Sequence, residues 1–303
     1  ASFVLMDPHS GEVLALAGGR GEKKQSKTLN RASNVLRQPG STFKVISSFA
    51  PAIDLYGATL ASTYYDSEYT VGKKTFKNWY SGGYLGFQSI RDGIVYSLNI
   101  VAVRCLMETV KPERGYQYAE SLGITSLVKD DENAALALGG LTRGVSNLEL
   151  TQAYGVIANG GKLQKAKFFS KIIDQNGKVL IDTTEDEATQ VMKESTAYLL
   201  TDAMRESMES KRAFASDVRV SSTSTRAHFD GMSQAGKSGT TSNNRDIWFV
   251  GFTPYYLAGV WGGCDENQVL KDAGSGEYNG GTGFHKDIWR KIMAKIHEGK
   301  ADI

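Results

Sequence analysis

A serine hydroxyl is a poor nucleophile at neutral pH and needs a base within reach before it can attack a carbonyl. Ser41 and Lys44 form such a pair, because residues three apart on a helix share a face and their side chains can meet. Pro39-Gly40 stops the chain just ahead of them, and the run that follows predicts a helix from Ser41 to about Leu55. Ser41 then lies at a helix start, where unpaired N–H groups and the positive dipole end favour developing negative charge. The plain alternative is a helix N-cap. Spacing alone does not decide, since Ser126 and Lys129 repeat it; there Asp130-Asp131-Glu132 follow, which predicts a solvated polar turn.

Two further groups of polar residues come later in the chain. Ser97 and Asn99 flank Leu98 inside or just before an apolar helix, and they point the same way if the backbone is extended or turned. Lys237-Ser238-Gly239 is followed by Thr240-Thr241 and soon by a strand. A small residue and a glycine there would let a substrate lie against a strand edge and pair with backbone groups. Each group is weak alone. The ordered set SxxK, SxN, KSG is much more specific.

These residues need elements to hold them. Runs at 2–6 and 12–17, joined by Asp7-Pro8-His9-Ser10-Gly11, predict a hairpin. Residues 20–38 read as irregular, and 56–91, rich in Tyr, Gly and Trp, as a loop-rich lobe packed by aromatics. Helical patterns cover about 91–109, 112–122, 147–159, 193–209 and 285–298, while 210–231 is a polar stretch. Asn176-Gly177 marks a hairpin over 168–183. Apolar runs at 246–252 and 256–262, joined through Thr253-Pro254, read as strands. With strands at both chain ends and helices between, the expectation is an α+β fold: one antiparallel sheet built from both ends, flanked by helices, with an inserted mainly helical lobe. No repeat or long linker divides the 303 residues, so one domain over 1–303 is expected.

Composition narrows the partners. A net charge of +2 with no basic stripe argues against nucleic acid. Cys105 and Cys264 make no disulfide framework and read as two buried free thiols. His9, His228, His285 and His297 form no metal-binding pair, and no metal or organic cofactor is expected. No apolar run approaches the roughly 20 residues of a membrane span, and no signal-peptide pattern is present. The chain opens on a strand, Ser2 to Met6, which suggests a fragment whose upstream part, any anchor included, is missing.

The segment Arg37-Gln38-Pro39-Gly40-Ser41-Thr42-Phe43-Lys44 resembles the active-serine segment of class A (bifunctional) penicillin-binding proteins, in the superfamily of serine β-lactamases and D,D-peptidases. Lys237-Ser238-Gly239-Thr240-Thr241 through Trp248-Phe249-Val250-Gly251-Phe252-Thr253-Pro254 is similar to their third motif and its following strands. Asn30-Arg31-Ala32, Ser97-Leu98-Asn99-Ile100, Ala153-Tyr154-Gly155 and Ala158-Asn159-Gly160-Gly161 extend the likeness over nearly the whole chain. Ser238 stands where threonine is common, and it keeps the hydroxyl.

The resemblance implies a peptidoglycan D,D-transpeptidase. Ser41 would attack the penultimate D-Ala of a stem peptide, and an amine from a neighbouring stem would resolve the acyl-enzyme. Lys44 would take the Ser41 proton, which needs its pKa lowered by about three units from ~10.4, or roughly 4 kcal/mol. Ser97 would relay that proton, and Asn99 would orient substrate or Lys44. Lys237 would supply a neighbouring cation and attract the terminal carboxylate, aided by the hydroxyls of Ser238, Thr240 and Thr241. The N–H groups of Ser41 and Thr240 would form the oxyanion hole. β-Lactams would acylate Ser41 and leave slowly, because Glu132 lacks the pattern of a deacylating glutamate. The implied setting is the extracytoplasmic face of the bacterial membrane, with a glycosyltransferase domain and an anchor upstream. A D,D-carboxypeptidase or β-lactamase on the same fold, or a β-lactam sensor, are the rival readings.

Overall fold

The computed structural model describes residues 1–22, 24–184, 187–209, 211–215, 218–270 and 283–303. A five-stranded antiparallel sheet is assembled from both ends of the chain. Its strands are β1 (Ser2–Met6), β2 (Val13–Ala17), β3 (Ala235–Thr240), β4 (Asp246–Phe252) and β5 (Leu257–Gly263). The spatial order is β3-β4-β5-β1-β2, so the N-terminal hairpin lies beside β5 and β3 forms an edge.

The central strands read as unbroken apolar runs because both faces are covered. Val4, Met6, Trp248 and Val250 join the large core on one face, while Phe3, Leu5, Phe249 and Val260 join a smaller core on the other. Helix α7 (Phe284–Ile296) covers the second face with His285, Trp289 and Met293, which recur every fourth residue along one stripe. Between the sheet's two halves come α1 (Ala50–Tyr56), α2 (Ile90–Val95), α3 (Asn99–Arg104), α4 (Pro112–Ser121), α5 (Asn147–Ala158) and α6 (Glu194–Glu206). Ser146 and Glu149 close a reciprocal capping box at the start of α5, which packs across β5 and β1.

The sequence expectations hold for the sheet, for the α+β class and for the order of the helices. Four details differ. The helix expected from Ser41 is a tight turn (Gly40–Thr42), a wide π turn (Val45–Phe49) and then α1. Pro51 in the first turn of α1 has no N–H for the regular ladder, and the turn before it widens. The helix expected over 91–109 breaks between α2 and α3 at Tyr96-Ser97-Leu98. The aromatic lobe contains two hairpins, Thr63–Asp66 with Gly86–Ser89 and Tyr69–Val71 with Lys74–Phe76. The polar stretch contains a third, Arg212–Ala215 with Val218–Ser221; Ser210, Ser216 and Asp217 of that stretch lie outside the described residues.

Cys105 is buried as expected, with its thiol pushed up to about 12 by burial, but Cys264 is partly exposed. The turn at 130–132 is also less solvated than expected. Asp131 is buried and accepts bonds from the Thr142 N–H and hydroxyl, and Glu132 pairs with Lys129 at 2.8 Å. No helix among the described residues is long and apolar enough to cross a membrane.

Candidate active site

Ser41 lies in the tight turn Gly40–Thr42, directly against β3. Two glycines make the approach possible. Gly40 has a left-handed φ of +56°, and a Cβ there would meet the Thr240 carbonyl oxygen at 2.8 Å. A Cβ on Gly239 would meet the Pro39 carbonyl oxygen at 2.5 Å. Gly239 therefore serves the docking of the serine turn onto the strand, rather than clearing the strand edge for a substrate. The turn is braced from α5 by the Tyr154 hydroxyl, which donates to the Thr42 carbonyl at 2.7 Å. Trp248 on β4 donates to the Gln38 carbonyl at 2.7 Å.

Beneath Ser41 the structure brings the buried Lys44, Ser97 and Lys237 together with the half-buried Asn99. Lys44 Nζ donates to the Ser97 carbonyl at 2.5 Å, to Asn99 Oδ1 at 2.6 Å and to Ser97 Oγ at 3.2 Å. Lys237 Nζ donates to the same Ser97 Oγ at 2.9 Å and to the Ser238 carbonyl at 3.1 Å. Both lysines are fully buried. Among the described residues, no carboxylate forms a salt bridge with either and the Ser41 hydroxyl has no hydrogen-bond partner.

Ser97 can present its carbonyl and hydroxyl together because it adopts a left-handed φ of +55°. That conformation costs a non-glycine residue about 1–3 kcal/mol and collects at functional sites. The aromatic lobe holds it in place. Asn78 Oδ1 accepts from the Asn99 N–H at 2.8 Å, the Asn99 side-chain amide donates to the Lys77 carbonyl at 2.8 Å, and Trp79 Nε1 donates to the Tyr96 carbonyl at 3.0 Å. Sequence reasoning missed Asn78. The only signal was a polar residue inside an aromatic cluster.

The electrostatics form a graded series of cations. Burial, and then the neighbouring Lys237, push Lys44 well below its ordinary value. Lys237 is pushed down to about 7, first by burial and then by Lys286. Lys286, on α7, is lowered to about 8 by burial and by Arg226, with Asp287 opposing. Lys286 was also missed, since nothing in a motif spacing says which residue of a distant helix crosses the sheet edge.

Ser41 opens on a cleft with two arms. One, about 490 Å³, is lined by Lys74, Lys77, Gly139, Gly140, Arg245 and Thr240 among others. The other, about 700 Å³, is lined by Trp79, Ser97, Ser238, Thr223, Thr225 and Lys286 among others. Trp79, 53% exposed, and Lys77 make the aromatic lobe part of the cleft wall, beyond the aromatic packing expected of it. Ser238, Thr240 and Thr241 all line the cleft, and the Thr241 hydroxyl also accepts from the Asp246 N–H at 2.9 Å. Among the described lining residues Asp246 is the one carboxylate, and Trp261 Nε1 donates to it at 2.9 Å.

A serine turn set against an edge strand, over two buried lysines that share one hydroxyl, is an arrangement able to carry out serine acyl transfer. Residues 1–261 match the family model described as penicillin binding protein transpeptidase domain, and the chain belongs to that family. It is similar to penicillin-binding protein 1A of Clostridium botulinum, with 34% identity over 98% of this chain and 35% of that protein. Penicillin-binding protein 4 of Bacillus subtilis is 32% identical over 84% of this chain and 38% of its own length. Among solved structures, the PonA1 protein from Mycobacterium tuberculosis in complex with penicillin V superposes with a TM-score of 0.82 at 25% identity, covering 100% of this chain and 79% of that one. The chain spans 35% of the length of the first of these curated relatives.

Proposed function

We propose that this chain is a D,D-transpeptidase domain that cross-links peptidoglycan stem peptides through an acyl-enzyme on Ser41. The observation that carries the reading is the buried cluster below Ser41, where two lysines share one serine hydroxyl with no salt-bridging carboxylate among the described residues. Two cations so placed disfavour each other's protonation, and burial adds to that. Lys44 is thereby a weaker holder of its proton than an ordinary lysine, and it serves as the base that takes the Ser41 proton as Oγ attacks the penultimate D-Ala carbonyl.

The developing oxyanion is received by the N–H groups of Ser41 and Thr240, which belong to the turn and the strand that Gly40 allows into close contact. Ser97 passes the proton to the leaving D-Ala amine, and Lys237 keeps Ser97 polarised. Asn99 holds Lys44. An amine of a neighbouring stem then attacks the acyl-enzyme, its proton returns by the same route, and Ser41 is restored. Edge strand β3, with Ser238 and Thr240 facing the cleft, offers backbone groups to an extended stem peptide. β-Lactams acylate Ser41 in place of the dipeptide. Deacylation is slow, because Asp246, the cleft's one described carboxylate, is engaged by Trp261. The substrate places the domain on the extracytoplasmic face of the membrane. A glycosyltransferase domain and a membrane anchor upstream of the single domain 1–303 follow from the family resemblance, and the relatives' greater length leaves room for further segments.

Intact-mass spectrometry after incubation with benzylpenicillin tests the reading. A lasting adduct of one penicillin, absent from Ser41→Ala, supports it. An unmodified protein with intact penicillin overturns it, and an unmodified protein with hydrolysed penicillin makes it a β-lactamase. Cross-linking of stem peptides by the acylating protein then separates a transpeptidase from a sensor.

A further inference from the structure

The cation assigned by motif to the substrate's carboxylate is Lys237, yet its ammonium is fully buried and already bonded to Ser97 Oγ and the Ser238 carbonyl. It does not line either arm of the cleft. Lys286 does. It projects from the first turn of α7, next to His285, which is held in the sheet-facing stripe. Its Nζ donates to the Thr223 carbonyl at 2.8 Å, which leaves two of its three protons for a ligand.

Among the described residues, no carboxylate forms a salt bridge with that amine. Asp287, the neighbouring carboxylate, is taken by Arg226 in a two-pronged pair, at 2.8 Å from Nε and 2.5 Å from Nη2. The lining around Lys286 is instead hydroxyl-bearing, with Thr225 and Ser238 in the cleft wall and the Thr223 hydroxyl buried without a partner. A charged amine beside uncommitted hydroxyls suits a carboxylate. Burial lowers Lys286 only to about 8, so it is largely charged at pH 7, where Lys237 is near half-protonation.

We propose that Lys286 is the carboxylate-binding residue of the cleft, anchoring the terminal carboxylate of the acyl donor and the equivalent carboxylate of a β-lactam, while Lys237 acts within the proton relay. The inference rests on the acyl-transfer reading of Ser41.

The test is a cycle between residue and ligand. Second-order acylation rates are measured by intact mass for wild type, Lys286→Gln and Lys286→Arg, each with benzylpenicillin and with its methyl ester, which lacks the charge. A charge-assisted contact is worth roughly 1.5–3 kcal/mol, so Lys286→Gln should lower the benzylpenicillin rate by about 10- to 100-fold. The ester, already slow on wild type, should react equally with wild type and Lys286→Gln, and Lys286→Arg should recover most of the benzylpenicillin rate. An equal loss with acid and ester would overturn the proposal, because it would mean that Lys286 acts only through Lys237 or the local packing. No loss with either would overturn it as well. Absence of any adduct on wild type would instead count against the acyl-transfer reading itself.

Discussion

Positive charge is handled in two opposite ways on the two sides of α2, which carries Arg91 in its first turn and leads into Ser97. On the outer side of α2 and α6, Arg91 pairs with Asp202 at 2.6 Å and Glu206 at 2.7 Å, and Arg205 pairs with Asp202 at 3.1 Å and Glu209 at 2.8 Å. Every cation there has a carboxylate, and Arg205 is raised from its ordinary value, first by its bond to Asp202. Beneath Ser41, Lys44 and Lys237 are buried, share neutral oxygen partners and are both lowered. The first arrangement holds two helices together. The second weakens the hold of two amines on their protons, which favours an amine base at the serine site. Compensation marks structure, and its absence marks chemistry.

The contrast can be broken most sharply at the amines. Lys44→Ala should lower the benzylpenicillin acylation rate by about 10³-fold or more, near the upper range for loss of a general base, as read by intact mass over time. Next comes the strained serine: Ser97→Gly removes the shared hydroxyl and relaxes the left-handed backbone. It should slow acylation by about 10²-fold while raising stability by roughly 1 kcal/mol in urea denaturation. A fall in stability would mean that the lysine contacts outweigh the strain.

The buried lysines also set how stability changes with pH. Lys237 titrates near 7 when folded and near its ordinary 10.5 when unfolded, with Lys44 shifted in the same direction. Between these limits the unfolded chain holds protons that the folded one has released, so stability from this source rises with pH. Urea midpoints should climb from pH 7 to pH 9, and Lys237→Met should flatten the climb. At the surface, Arg205→Ala should change stability by no more than about 1 kcal/mol, as exposed pairs do, and leave acylation untouched. A large acylation loss there would erase the distinction between the two regions.

Much of this was legible in the sequence because the signals were local. Apolar runs and the Thr253-Pro254 turn marked β4 and β5, and the order of three polar motifs pointed to Ser41, Lys44, Ser97, Asn99 and Lys237, which the fold gathers at one place. What was not legible depends on contacts between distant segments. The role of Gly239 comes from Pro39 pressing against it, the Thr241 hydroxyl is occupied by a turn closed at Asp246, and the break at Ser97 follows from a φ sign that no periodicity encodes. Asn78 and Lys286 reach the site from the aromatic lobe and the last helix, where neither carries a motif.

The most direct test is a titration of the lysine side chains themselves. Carbon-13 lysine labelling, with signals assigned through Lys44→Met and Lys237→Met, would follow each amine by NMR from pH 5 to pH 11. The expected result is that Lys237 changes near pH 7, that Lys44 changes well below its ordinary 10.5, and that removing Lys237 moves Lys44 upward. Both amines staying protonated up to the ordinary lysine range would contradict the account, because no neutral base would then stand beside Ser41 at the pH where the protein works.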